Sequence, residues 1–325
     1  MPQGDENPAP PRPRLAHDAL SAAWRGALMG AADVVPGVSG GTMALVLGIY
    51  DRLLTALGNL TRVPLWRAVR RRSWLLAWRS VDGTFLVGLV IGIAVSVIAL
   101  AGVIESALDS ARPQVYALFL GMIAASTAVV ASKVVRWRPA AVAAALAAAV
   151  GATVIVGLTP VATPDATWFL VLAGAIGICA LVLPGVSGAF LLVLMGKYET
   201  VLGAIARGDL TTLLPFALGA GFGLLGFARL LSGWLRRFPD ATHAALAGFL
   251  LGSLRRVWPW QPDDAVRLAL LPPPDGAAAA ISAGLAALGA AAVWGLHRWG
   301  QRARASGRTA SPAGLAAPGS GRAQQ

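Results

Sequence analysis

The residues best placed to do chemistry lie in two short runs behind a Pro-Gly pair. Ser39, Gly40, Gly41 and Thr42 follow Pro36-Gly37-Val38, and Ser187, Gly188 and Ala189 follow Pro184-Gly185-Val186. Both runs sit inside apolar sequence. Proline lacks an N–H and glycine accepts unusual dihedrals, so a helix entering either phrase stops there. Serine then caps a new helix, whose first N–H groups have no intrahelical partner. Such a start attracts anions, because unpaired N–H groups and the positive end of the helix dipole coincide. A plain turn with a capping serine would explain one copy. Two copies of Pro-Gly-Val-Ser-Gly favour an anion site.

Other groups flank these runs. Asp33 lies three residues before Pro36, and its counterpart in the second copy is Leu181. A carboxylate within an apolar segment is a functional candidate, for substrate or for a coupling ion such as a proton or sodium. The alternative is a hydrogen bond that caps the break. Tyr50-Asp51-Arg52 and Lys197-Tyr198-Glu199 end the second arms. Both clusters, Tyr50, Asp51, Tyr198 and Glu199 foremost, are candidates for substrate or ion contact, with interfacial anchoring as the other explanation. Arg229, His243, Arg255 and Arg256 are further candidate phosphate partners, although snorkelling or topology signals better explain the arginines and a structural role is the commoner one for a lone histidine such as His243. No catalytic set emerges: His17, His243 and His297 are scattered, and Cys179 is the single cysteine. An intrachain disulfide is thereby excluded, and no cysteine cluster can bind metal. Neither a metal nor a cofactor is expected, and the chain does not read as an enzyme.

Elements must hold these residues, and composition says of what kind. The 325 residues are 56% hydrophobic and 13% charged, against about 25% charged in soluble domains. Several runs approach the ~20 apolar residues that cross a bilayer. The net charge of +12 comes without a basic, aromatic-laced soluble domain, so nucleic acid is not an expected partner; the bilayer is. At an offset of 148, residues 32–56 and 180–204 share 11 of 25 identities, and Asp51 meets Glu199. A weaker echo at an offset of 127 matches Ala117, Gly121 and Ser126 with Ala244, Gly248 and Ser253. The difference marks a deletion in copy two, where copy one carries a basic stretch. That stretch, 61–80, holds Arg62, Arg67, Arg70, Arg71, Arg72 and Arg79 among Trp66, Trp74 and Trp78. It reads either as a segment lying on an anionic leaflet or as a basic loop.

The expected fold is an all-α polytopic membrane protein built as an inverted repeat. Each copy is a broken re-entrant helical hairpin plus three transmembrane helices. The chain divides into a disordered tail at 1–18, membrane repeat 1 at 19–158, membrane repeat 2 at 159–298 and a second disordered tail at 299–325. The first hairpin occupies 19–57; the second pairs 167–182 with 187–205. The arms either cross fully or turn back midway, and Arg25 and Asp33 in the first arm favour turning back. Full spans are expected at 83–103, 114–132, 139–158, 213–231, 241–254 and 276–296. With the N-terminus inside, the inside loops hold 17 Lys and Arg against 5 outside, which follows the positive-inside rule and puts both termini in the cytoplasm.

These residues carry a resemblance. Ala32-Asp33-Val34-Val35-Pro36-Gly37-Val38-Ser39-Gly40-Gly41-Thr42, followed by Gly48-Ile49-Tyr50-Asp51, resembles the first signature of the bacterial PopT-like proteins. The second Pro-Gly-Val-Ser-Gly with Gly196-Lys197-Tyr198-Glu199 resembles the second, and Gly252-Ser253-Leu254 before Trp258-Pro259-Trp260 also fits. The likeness covers roughly 20–298. Where that family often has a small polar residue after the second phrase, this chain has Ala189. The resemblance implies a polyprenyl-phosphate transporter of the bacterial inner membrane. It would return undecaprenyl phosphate from the outer to the cytoplasmic leaflet, for reuse in cell-envelope synthesis. A small-anion channel or exchanger would use the same anion site, and a lipid phosphatase would need a nucleophile or acid–base set that the sequence does not display.

Overall fold

A computed structural model describes residues 15–33, 39–158, 163, 164, 166–184, 188–261 and 270–309. Pro36, Gly37, Gly185, Ser187 and most of both expected tails lie outside the described residues. What is described is helical throughout. The first half forms α1 (Leu15–Asp33), α2 (Gly40–Val46), α3 (Tyr50–Asn59), α4 (Val63–Arg70), α5 (Trp74–Ser80), α6 (Gly83–Ala131) and α7 (Pro139–Val156). The second half forms α8 (Thr167–Val182), α9 (Gly188–Leu194), α10 (Tyr198–Arg207), α11 (Leu210–Arg237), α12 (Pro239–Ser253), a 3-10 turn over Leu254–Val257, and α13 (Gly276–Thr309).

Several elements differ in detail from the sequence reading. The second arm of each hairpin is two helices rather than one. Gly48 and Gly196, equivalent at the 148 offset, take φ of +67° and +60°, a left-handed conformation that only glycine adopts without strain. Gly188–Leu194 and the helix after it meet at 112°. The basic stretch is helical, as α4 and α5, with Trp66, Trp74 and Trp78 exposed. Ala111, at φ −145° and ψ 42° with Pro113 two residues on, divides the 49-residue α6 into two limbs. The final helix runs on to Thr309, past the boundary read at 298.

Among the described residues, five helices are long and apolar enough to cross a membrane, or six if the bent α9–α10 pair counts as one. The short span expected at 241–254 corresponds to α12, which has 15 residues. It lies inside the bundle, with Thr242, Ala244, Leu246, Ala247, Gly248, Leu250, Gly252 and Ser253 buried. A helix wrapped by protein need not match the length of the hydrocarbon layer.

Small residues set the packing. A Cβ on Gly26 or Gly30 would strike the backbone of Leu89 or Ile93, and one on Gly88 or Gly92 that of Ala19 or Ala23. So α1 and the first limb of α6 run parallel and nearly touch, each through a glycine pair spaced four apart, as in membrane helix dimers. The second half repeats the contact. Gly174 meets Phe216, Gly219 meets Val171, and Gly223 meets Ala175. Gly26 corresponds to Gly174, Gly92 to Gly219, Leu89 to Phe216 and Ala23 to Val171 at the two sequence offsets. The last helices cross between halves: α7 packs on α12 at Gly248 and Gly252, and α13 packs on the second limb of α6 at Gly121 and Gly289. The two halves are therefore interleaved, and one core cluster draws on both.

Candidate functional site

The breaks of the two halves meet. Ser39 takes extended dihedrals (φ −126°, ψ 139°) and caps α2, its Oγ accepting from the Gly41 N–H at 3.1 Å. The same hydroxyl donates to the carbonyl of Leu183 at 3.2 Å, 144 residues away. Tyr50 donates its hydroxyl to the carbonyl of Val182 at 3.1 Å. The reason lies at the end of α8. A helix leaves its last carbonyls without partners, and Pro184 brings no N–H to help them. The first half supplies the missing donors, from side chains with 0% (Ser39) and 1% (Tyr50) exposure.

At the start of α2 the first N–H groups all have acceptors within the protein. The Gly40 N–H donates to the Asp33 carboxylate across the break. The Gly41 N–H is held by Ser39 Oγ, and the Thr42 N–H by the Ser39 carbonyl at 2.9 Å. A Cβ on Gly40 would meet the Asp33 carboxylate within about 3 Å, so glycine is what lets the carboxylate approach. In the second half, Pro184 and Gly188 are buried and Ala189 is exposed. Ser187 and Gly185, like Pro36 and Gly37, fall outside the described residues.

A second polar cluster lies at one end of the bundle. Asp51, Leu54 and Thr55 of α3, Ser232, Leu235 and Arg236 of α11, and His243 of α12 enclose a cavity of about 230 Å³. Arg236 donates to Ser232 Oγ at 2.6 Å, and His243 Nδ1 lies 2.8 Å from the Pro239 carbonyl. Here a carboxylate, a guanidinium and an imidazole line one space with room for several waters, a set able to hold an anion or pass a proton. The same end is tied by Arg52–Asp82 at 2.6 Å and by Asp240, which accepts from the N–H groups of Val135 and Arg136. At the other end, Arg256 stacks over Phe190 of α9 at 4.7 Å, close enough to Arg112 for their charges to repel. Gln261 secures that turn by donating to the carbonyls of Arg255, Arg256 and Trp258.

The structure thus brings Ser39, Gly40, Gly41, Thr42, Asp33 and Tyr50 together, and separately Asp51 with His243. Tyr198, Glu199 and Arg229 are exposed and join neither group. Two participants were not read from the sequence as site residues. Leu183 acts through its backbone, which leaves no side-chain signal. Arg236 looks like any arginine ending an apolar span. Lys197, grouped in the sequence with Tyr198 and Glu199, stands where the first half has Ile49. It is 2% exposed and donates to the Thr163 carbonyl at 3.4 Å. Among the described residues no three His, Cys, Asp or Glu side chains converge as a metal site requires.

Comparison with known proteins adds an independent observation. Residues 29–269 match the family described as undecaprenyl phosphate translocase-like. A polyprenyl-phosphate transporter of Vibrio cholerae serotype O1 is 38% identical over 247 residues, covering 74% of this chain and 78% of that protein. A polyprenyl-phosphate transporter of Staphylococcus aureus is 28% identical over 261 residues, covering 74% of this chain and 87% of that one. No solved structure matches the chain.

Proposed function

The chain belongs to the undecaprenyl phosphate translocase-like family, and we propose that it carries undecaprenyl phosphate from the outer to the cytoplasmic leaflet of the inner membrane, returning it for envelope synthesis. The observation that carries this reading is the crossing of the two broken helices, where Ser39 of one half touches Leu183 of the other inside an apolar bundle. A lipid monophosphate bears a charge near −1.5 to −2, by analogy with phosphorylated side chains. Even one charge at the bilayer centre costs about 2.5–3.5 kcal/mol or more. Helix-start donors at depth offset that cost while the lipid tail stays among other tails.

In this reading Ser39, Gly40, Gly41 and Thr42 receive the phosphate, together with Gly188, Ala189 and, by the repeated phrase, Ser187. Pro36, Gly37, Pro184 and Gly185 are, by residue type, the helix breakers of the two phrases. Asp33 holds the seat until the substrate arrives. Two anions cannot share these donors, so phosphate entry displaces the carboxylate, which then takes up a proton or a sodium ion. That exchange is the coupling step. Asp51, Arg236 and His243 form a way station at the cytoplasmic end.

The halves are inverted, and the hairpins turn back within the membrane. Gly30 packs level with Ile93, ten residues into α6, or ~15 Å along a helix rising 1.5 Å per residue. That is about half of a ~30 Å core, so Asp33 follows near mid-depth. The excess of Lys and Arg in the loops beside α4, α5, α11 and α13 supports cytoplasmic termini.

Liposomes containing undecaprenyl phosphate test the activity. Without protein, a phosphatase added outside should reach only the outer leaflet. With purified protein it should hydrolyse nearly all the lipid phosphate. Hydrolysis that stops at the outer leaflet would refute transport. Leakage of trapped inorganic phosphate would favour an anion channel, and phosphate released before the phosphatase is added would favour an enzyme.

A further inference from the structure

An apolar groove of about 580 Å³ opens on one side of the bundle between α7, α11 and α12. We propose that this groove holds the isoprenoid chain of the substrate lipid; the assignment rests on the transport reading above. Its volume lies within the ~300–1,000 Å³ usual for ligand pockets. Phe227, Trp234, Phe238 and Phe249 form its walls, with Ala245 on the shelf between them. Thr242 and Trp234 are the lining side chains with a polar group; the Thr242 hydroxyl already donates to the Phe238 carbonyl at 2.8 Å, and Trp234 stands at the exposed edge. No charged side chain lines the groove.

Three features select an isoprenoid chain. First, the groove ends at Leu183, the residue whose carbonyl accepts the Ser39 hydroxyl. An apolar channel and the polar helix tip therefore share one residue, which is the arrangement an amphiphile with a single anionic end requires. Second, the groove has a mouth and a floor. Trp234 and Phe238 are 53% and 54% exposed, whereas Leu231 and Leu246 are buried. A chain can enter sideways from the bilayer while its distal part stays outside. Third, the gap is built into the packing. Just beyond it Gly248 and Gly252 press α12 against Ala145 and Ala149 of α7, so the opening cannot close by sliding those helices together. Alanines facing aromatic walls leave room for a chain thickened by methyl branches.

The test compares purified wild type with Ala245→Phe, which fills the shelf, and Phe249→Ala, which removes a wall. The probes are dimethylallyl phosphate, with one isoprene unit, and farnesyl phosphate, with three. Binding is read by thermal stabilisation in detergent. Wild type should bind the longer probe more tightly. Each variant should lose on the order of tenfold in farnesyl phosphate affinity, since each lost CH₂ burial weakens binding several-fold, while affinity for dimethylallyl phosphate stays unchanged. Phe249→Ala decides the matter alone if Ala245→Phe fails to fold. Variants that keep the wild-type gain with chain length, or that weaken both probes equally, would overturn the groove assignment and leave transport standing. So would competition by a single-chain phospholipid that abolishes the gain. Wild type that binds neither probe would overturn the transport reading as well.

Discussion

Ser39 holds three pieces of chain at once: its own hairpin, the start of α2 through Gly41, and the end of α8 through Leu183. Ser39→Ala therefore removes more than a cap. A lost cap costs ~1 kcal/mol, and an orphaned buried carbonyl adds about 1–3 kcal/mol. Thermal unfolding in detergent should show a clear loss of stability. A Ser39→Ala protein as stable as wild type would mean that the Leu183 contact contributes nothing. Asp33→Asn poses the opposite case. Asparagine caps about as well as aspartate, so stability should stay near wild type, but the side chain no longer carries a charge or takes up a proton. The liposome assay should then show slowed lipid return with lost pH dependence, and normal return over a range of pH would remove Asp33 from the coupling. At Gly40 a valine would push the Asp33 carboxylate aside and crowd the N–H groups. The protein should still fold, because this helix start needs ordinary helical dihedrals, yet it should lose most thermal stabilisation by undecaprenyl phosphate. Wild-type stabilisation in Gly40→Val would refute the proposed seat.

Among the elements, the close parallel pairs carry the scaffold. At Gly92 a Cβ would enter the backbone of Ala23, and at the equivalent Gly219 that of Val171. Overpacked sites typically lose about 1–3 kcal/mol, more where backbone rather than a side chain must move. Gly92→Val and Gly219→Val should therefore both destabilise strongly and to a similar degree. Gly102→Ala, in the same α6 but with nothing within 4 Å of its Cβ, should be neutral or slightly stabilising, since alanine favours helix over glycine by roughly 0.5–1 kcal/mol. Equal effects at Gly92 and Gly102 would show that helix propensity, not close approach, governs these positions.

For the whole molecule, the polar contacts gather at two ends. Arg52, Asp82, Asp51, Arg236, His243 and Asp240 mark one; Arg112, Arg255 and Arg256 mark the other. The proposed orientation places the first end in the cytoplasm. With Cys179 replaced by alanine, single cysteines at Asp109, Ser73 and Ser306 report on it. A membrane-impermeant thiol reagent applied to intact cells should label only the cysteine at 109. Labelling at 73 would reverse the orientation, and labelling at 306 but not 73 would place the C-terminus outside.

The sequence by itself determined the helical membrane class, the duplicated unit and the position of the breaks. Each of these is local: a helix stops where Pro184 lacks an N–H, and a span shows as a run of apolar residues. Gly48 and Gly196 were equally local, yet their second bend went unread, because a glycine shows where a left-handed turn is affordable and not that one occurs. Likewise the glycines at 26, 30, 88 and 92 were visible, but which helix they face was not. Tertiary structure alone decided that Ser39 meets Leu183, that Asp33 occupies the Gly40 N–H, and that Asp51 shares a cavity with His243 and Arg236. Those meetings span up to about 190 residues of chain. They follow from α1 settling on α6 and α8 on α11, a sum of many small packing terms to which no short stretch of sequence contributes a recognisable share.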